Sequence, residues 1–321
     1  MRWTRLLAVL ATVASVGALA PAAFATGATA PCSTGCVTEY TPTGTGRPFG
    51  ITRGPLGSEW FAQSRSIRRV DASGTITRYH VPGTKGNDIT WLTTAPDGSL
   101  WFTRRYTDSI GRITRSGGIR EFAIPSGSGA MGVVVAPDGF VYFSELGRYA
   151  IGRLDPATGA TTEYPVPSGA SPVGLCMGPD GSLWFTEEFN DRVGRMTTDG
   201  VFTEYALASG ARPVRIAVGP DGAIWFTELS GKVGRITSDG TLTEYPLDGG
   251  PVGITTGKDG LLYVALAFDK ELVQMDPQGV VTGTWTLPEA GSGFQVARGF
   301  GRDIWVTDYY GRHVYRVTPW S

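Results

Sequence analysis

The chain has 321 residues, 28 of them basic and 29 acidic, for a formal net charge of −1. That balance leaves no electrostatic footprint for nucleic acid or for an anionic membrane surface. Hydrophobic residues make up 41%, enough for a core, while 46 Gly and 21 Pro spread along the chain exclude a fold of long helices.

In chain order, Arg2 and Arg5 precede an apolar run from Leu6 to Ala20 that Pro21 ends, and Ala23-Phe24-Ala25 supplies a small-x-small cleavage pattern. Residues 1–25 therefore read as a secretory signal peptide. The run is too short for a membrane span, which needs about 20 apolar residues. The mature chain is expected to be soluble, secreted and monomeric, with no membrane span and no nucleic-acid partner. Residues 26–36 form an extension in which Cys32 and Cys36 can close a small loop in an oxidising compartment. Cys176 alternates with apolar residues and reads as a buried small hydrophobe.

From residue 37 onward one unit recurs seven times. Trp60, Trp101, Tyr142, Trp184, Trp225, Tyr263 and Trp305 stand at intervals of 41, 41, 42, 41, 38 and 42 residues. A second series follows an Ile-Gly-Arg-Ile pattern through Arg69, Arg112, Arg153, Arg195, Arg235, Gln274 and Arg316. A third follows Thr-Glu-Tyr through Tyr40, Tyr79, Phe122, Tyr164, Tyr205 and Tyr245 to a weaker match near Trp285. Within the fifth unit, four apolar runs over 213–218, 224–228, 233–237 and 242–245 are separated by Gly-Pro-Asp-Gly and by Asp239-Gly240. Four short antiparallel strands per repeat, seven times, predict an all-β, seven-bladed β-propeller over 37–321. The periodic tryptophans belong to its core.

Treating Asp239-Gly240 as a two-residue hairpin loop places Arg235 opposite Glu244. The same rule pairs Arg195 with Glu204 and Arg112 with Glu121, and sets Arg69 against Arg78. These arginines and glutamates are expected to be structural cross-strand pairs. The chain opens on an outer-strand pattern, Thr38-Glu39-Tyr40, and closes on a third-strand pattern, Val314 to Val317. The N-terminal strand is expected to complete the last blade, with Arg316 facing Glu39.

The segments Gly-Pro-Asp-Gly-Ser-Leu-Trp-Phe-Thr-Glu (178–187) and Val-Gly-Arg-Ile-Thr-Ser-Asp-Gly-Thr-Leu-Thr-Glu-Tyr-Pro-Leu (233–247) resemble the streptogramin B lyase (virginiamycin B lyase) propellers, and the likeness runs over residues 37–319. The resemblance implies a lyase that linearises a cyclic depsipeptide antibiotic at its ester by elimination, with a divalent cation, typically Mg²⁺. It also implies histidines on innermost strands in segments similar to Pro-His-Gly-Ile-Thr. Here that slot holds Phe49, Val173, Val214 and Val252, and in the remaining blades is expected at Asp88, Met131 and Phe294. The two histidines, His80 and His313, lie elsewhere and read as solvated surface residues.

What the sequence offers in place of histidine is a charged rim. Second strands end at Glu145, Glu187, Glu228 and Asp308, with Arg104 beside them, and innermost strands begin near Asp88 and Arg215. Four acids meeting at a central channel would suit a divalent cation such as Mg²⁺ or Ca²⁺, or a ligand rich in hydroxyls or positive charge. Three readings follow: a secreted propeller that binds a small molecule or protein ligand at the channel without the lyase histidines; a true lyase with a displaced base at Glu187, Glu228 or His313; or a metal-dependent lactonase-like hydrolase.

Overall fold

The computed structural model describes residues 22–24, 36–44, 46–83, 88–288, 291 and 293–319. Among these residues, apart from one 3-10 turn at Pro55–Gly57, every regular element is a β-strand. The strands form seven antiparallel sheets whose innermost members contact one another in a closed circle, from Pro48–Arg53 of blade one round to Gly293–Arg298 of blade seven. In blade five the strands are Pro213–Val218, Ile224–Glu228, Lys232–Ile236 and Leu242–Pro246, within a residue of the pattern read from the sequence. The ring closes as expected: Cys36–Tyr40 pairs antiparallel with His313–Thr318 and completes blade seven. A three-residue strand, Ala22–Phe24, pairs with Ile76–Arg78 outside blade one. Among the described residues no helix is long and apolar enough to cross a membrane. The proposed Cys32–Cys36 loop falls partly outside the described residues, because Cys32 is not among them.

The core lies between blades. Trp225 and Val233 of blade five pack with Ile254, Leu262 and Val264 of blade six, and the same arrangement recurs around the ring. The two aromatic series of the repeat meet inside six of the blades: Trp184 stacks on Tyr205 at 5.7 Å, Trp225 on Tyr245 at 5.4 Å and Trp305 on Tyr40 at 5.1 Å. The glycine of Ile-Gly-Arg-Ile is required by the neighbouring second-strand Phe. A Cβ on Gly234 would stand 2.1 Å from the Phe226 ring, and one on Gly194 would stand 2.1 Å from Phe185.

The hairpin register differs from expectation by one residue. Arg235 faces Thr243, Arg195 faces Thr203 and Arg112 faces Arg120, while Glu244, Glu204 and Glu121 face glycines. In blade one Arg69 faces Thr77, and at the seam Arg316 faces Thr38 rather than Glu39. The reason is the loop. The Thr237 amide donates to the Thr241 carbonyl (3.1 Å), and Gly240, at φ +90°, occupies the left-handed region. The connection is thus a three-residue loop ending in a left-handed glycine, not a two-residue one. The arginines pair instead with the aspartate of the first-to-second-strand turn. Arg235 Nε bonds Asp221 Oδ2 at 2.6 Å, Arg195 bonds Asp180 at 2.7 Å and Arg316 bonds Asp303 at 2.9 Å. The same Asp221 accepts from the Ala223 amide (3.2 Å) and the Trp225 indole (3.0 Å), so one carboxylate ties turn, core aromatic and third strand together.

A second device joins the blades, and the sequence reading assigned it no role. In blades two to five a second-strand hydroxyl accepts from its own innermost strand and donates to the next blade, Thr103 in blade two accepting from the Trp91 amide (3.1 Å) and donating to the Met131 carbonyl (2.7 Å). Thr227 Oγ1 accepts from the Arg215 amide (3.2 Å) and donates to the Val252 carbonyl (2.9 Å). Thr186 and Ser144 do the same toward Val214 and Val173, each at 2.9 Å. Thr307 carries the donation across the seam to the Phe49 carbonyl at 2.7 Å. Thr227→Val keeps the shape and leaves two buried backbone groups unpaired, so it is expected to lower unfolding stability by about 1–3 kcal/mol in urea titration, with Thr227→Ser close to wild type. Equal midpoints for all three proteins would remove the bridge as a stabilising contact.

Candidate functional site

Strand pairing sets which innermost-strand positions are equivalent. In six blades the innermost strand bulges near its start, and Pro48, Ile89, Pro213 and Gly293 align opposite the second-strand ends Gln63, Arg104, Glu228 and Asp308; the short strand Leu175–Met177 of blade four pairs without a shift. The slot discussed above is therefore Phe49, Thr90, Met131, Val173, Val214, Val252 and Phe294. Asp88 falls two residues before Thr90, outside the strand, because the pairing register, not sequence spacing, sets the alignment. Thr90 is buried and hydrogen-bonded to Thr103 at 2.9 Å.

The next position around the ring is Gly50, Trp91, Gly132, Gly174, Arg215, Gly253 and Gln295. Glycine suits it because the following blade's backbone is close: a Cβ on Gly132 would meet the Val173 carbonyl at 2.8 Å, and one on Gly174 the Val214 carbonyl at 2.7 Å. Three blades carry large side chains there instead, and all three line a cavity of about 380 Å³ in the central channel. The Arg215 guanidinium carbon sits 4.3 Å from the centre of the Trp91 ring and 5.7 Å from that of Phe49. Arg215 is 8% exposed, and its Nε has no hydrogen-bond partner among the described residues. Burial lowers its guanidinium to about 10, which leaves it cationic at neutral pH. Gln295 accepts from the Ile51 amide (3.3 Å) through Oε1, while its buried Nε2 donates to nothing among the described residues. Arg53 and Arg298, the last residues of their innermost strands, complete the lining with Thr52, Thr93 and Thr255, and among the described residues no carboxylate lines the cavity. Cys176 is in the wall, half-buried rather than fully buried as expected, and burial pushes its thiol up to about 12, which does not suit a nucleophile.

Of the seven charged residues singled out from the sequence, Arg215 is the one in this cavity. The others sit toward the opposite end of the strands, each held within its own blade. Arg104 Nε bonds Asp88 Oδ2 at 3.0 Å and also reaches Glu121, and Asp88 accepts from the Tyr106 amide (2.7 Å) and the Thr107 hydroxyl (2.9 Å). Asp308 accepts from the Gly291 and Gly311 amides, both at 2.8 Å. Glu145, Glu187 and Glu228 accept from Ser128 (2.6 Å), Ser168 (3.1 Å) and Ser230 (3.1 Å). Burial, and then the neighbouring outer-strand carboxyls Glu163, Glu204 and Glu244, push these three glutamates up to about 7. Among the described residues no group of three or more His, Cys, Asp or Glu side chains is placed to hold a metal ion. The donor set thus does not fit the divalent cation that the family resemblance implies.

The histidines stand away from the channel. His80 is exposed at the end of an outermost strand. His313, expected to be solvated, is 17% exposed, with Nδ1 2.8 Å from Glu39 Oε1.

These features define a seven-bladed propeller with a polar, cationic cavity on its axis. The model of the virginiamycin B lyase family matches residues 31–168 and 126–320, and the chain belongs to that family. It is 36% identical over 111 residues to a virginiamycin B lyase of Nocardia farcinica, a match spanning 34% of this chain and 38% of that protein. A streptogramin B lyase structure superposes with a TM-score of 0.83 at 28% identity, covering 88% of this chain and 97% of that one. The crystal structure of a catalytically inactive histidine-to-alanine variant of virginiamycin B lyase from Staphylococcus aureus, with quinupristin, gives 0.83 at 30% identity, covering 88% and 99%.

Proposed function

We propose that this chain is an exported, ligand-binding member of the virginiamycin B lyase family that does not carry out histidine-dependent ester elimination. The observation that carries the reading is the channel wall: its cavity is lined by Arg215, Trp91 and Gln295 with no histidine, and the two histidines lie away from the innermost strands, His80 on the fourth strand of blade one and His313 on the third strand of blade seven. Elimination needs a base within hydrogen-bond reach of the substrate's α-proton, and histidine is the side chain suited to that at neutral pH. The related Staphylococcus aureus protein, with one histidine replaced, is described as catalytically inactive and is seen with quinupristin, which fits a family scaffold that holds a ligand without turning it over. Export rests on Arg2, Arg5, the apolar run to Ala20 and the Ala23-Phe24-Ala25 pattern.

The test takes protein recovered from the host's medium, whose intact mass checks the cut after Ala25, and incubates it with a type B streptogramin and Mg²⁺. Mass spectrometry and chromatography are expected to return intact cyclic drug. A linear product of unchanged mass would overturn the reading and turn the search for a base to Glu187 and Glu228.

A further inference from the structure

The channel cavity combines features that a purely structural axis has no need of. Arg215 is a buried cation with no ion pair or hydrogen bond to its guanidinium among the described residues. Burying a charge without a counter-charge is costly, and fold stability alone would favour glycine, which four sister blades carry at this position. Among the described residues, the carboxylate whose field reaches it, Glu188, is already ion-paired with Arg212 at 2.5 Å. Gln295 adds a second buried donor without an acceptor in the same wall. At the mouth, Arg53 and Arg298 are exposed, and the carboxyl that faces Arg53 across the strand pair, Glu59, is pushed up to about 9 by burial. It is therefore neutral at pH 7 and leaves the Arg53 charge intact. Nearby Asp303 is engaged by Arg316 at 2.9 Å.

We propose that this cavity binds a small organic anion, its carboxylate held by Arg215, with Gln295 Nε2 as a second donor and Arg53 and Arg298 drawing it in at the mouth. The inference rests on the ligand-binding reading above and names its ligand class. The guanidinium carbon lies 4.3 Å from the centre of the Trp91 ring and Nε carries an N–H unpartnered among the described residues, the kind of donor that a guanidinium presents to a carboxylate in paired N–H···O bonds. The cavity, at about 380 Å³, lies within the range of small-ligand sites. Its wall mixes Thr hydroxyls with Ile51, Ile216 and Ile254, which favours a carboxylate carrying an apolar body over a bare inorganic anion.

The experiment is calorimetric titration of the whole mature protein with hexanoate, acetate and inorganic phosphate at low ionic strength, repeated on Arg215→Met and Arg298→Gln. Hexanoate is expected to bind saturably and at least several-fold more tightly than acetate or phosphate. Arg215→Met should abolish that binding while retaining a cooperative melt. Arg298→Gln, at an exposed position, should weaken it several-fold and flatten its dependence on salt. Absence of saturable binding by all three anions overturns the proposal, as does hexanoate binding unchanged in both variants. Phosphate binding as tightly as hexanoate overturns the carboxylate assignment. None of these outcomes touches the drug assay, so the failure of this inference and of the histidine-free reading can be told apart.

Discussion

Deleting residues 37–42 is expected to abolish cooperative folding of the mature chain. These residues carry four of the five ladder pairs that close blade seven, from Val37 opposite Val317 to Tyr40 opposite Val314. They also remove Tyr40, 7% exposed and stacked on Trp305 in the cluster that joins blade seven to Ile51, Phe61 and Val70 of blade one. With them gone, the third strand of blade seven becomes an open edge, and the seam between last and first blades loses its outer half. Tyr40→Ala alone should cost about 3–5 kcal/mol by analogy with other buried aromatics. Circular-dichroism melts check both: the deletion should show no cooperative transition near the wild-type temperature, and Tyr40→Ala a clear fall. A deletion that melts with the wild type would mean that the ring is held by its inner strands alone.

The blade count, strand spans and ring closure were legible because they rest on periodicity. Aromatic spacing near 41 residues and a glycine-bearing turn in every unit survive any local error. The pairing of Arg235 was not legible, because Asp239-Gly240 fits two-residue and three-residue loops equally well and only the backbone conformation of Gly240 decides between them. The same one-residue ambiguity put Asp88 in a slot that belongs to Thr90. Nor did the sequence separate rim from channel. Glu187 and Arg215 both border strand ends, yet one turns to a carboxyl on its own outer strand and the other to the axis. A signal for the cavity did exist: Trp91, Arg215 and Gln295 interrupt a position that is glycine in the other four blades. The inter-blade hydroxyls were visible as the Thr of Trp-Phe-Thr-Glu, but nothing in a single strand says that such a side chain bridges to the next blade.

Stability is expected to fall as pH rises from about 5 to about 7, and the three buried glutamates should account for the fall. In the unfolded chain a glutamate titrates near 4.3. In the folded protein burial and a facing carboxyl hold Glu145, Glu187 and Glu228 up to about 7. The folded state therefore keeps protons that the unfolded chain releases between those two values. Their contribution is complete below about 4.3, is lost as pH rises through about 7, and is constant above. Aspartates such as Asp180 and Asp221, held below the usual carboxylate range, act in the opposite sense at lower pH. Comparing wild type with a variant isolates the glutamates from that background. In Glu145→Gln, Glu187→Gln and Glu228→Gln combined, each amide replaces the protonated carboxyl and can donate to Glu163, Glu204 or Glu244. After discounting for solvent screening, the triple variant should exceed wild type by about 1 kcal/mol per site at pH 8 and match it near pH 4. Urea titrations at pH 5, 6, 7 and 8 check this, and parallel pH profiles for the two proteins would show that these carboxyls are ionised in the folded state and paired by another route.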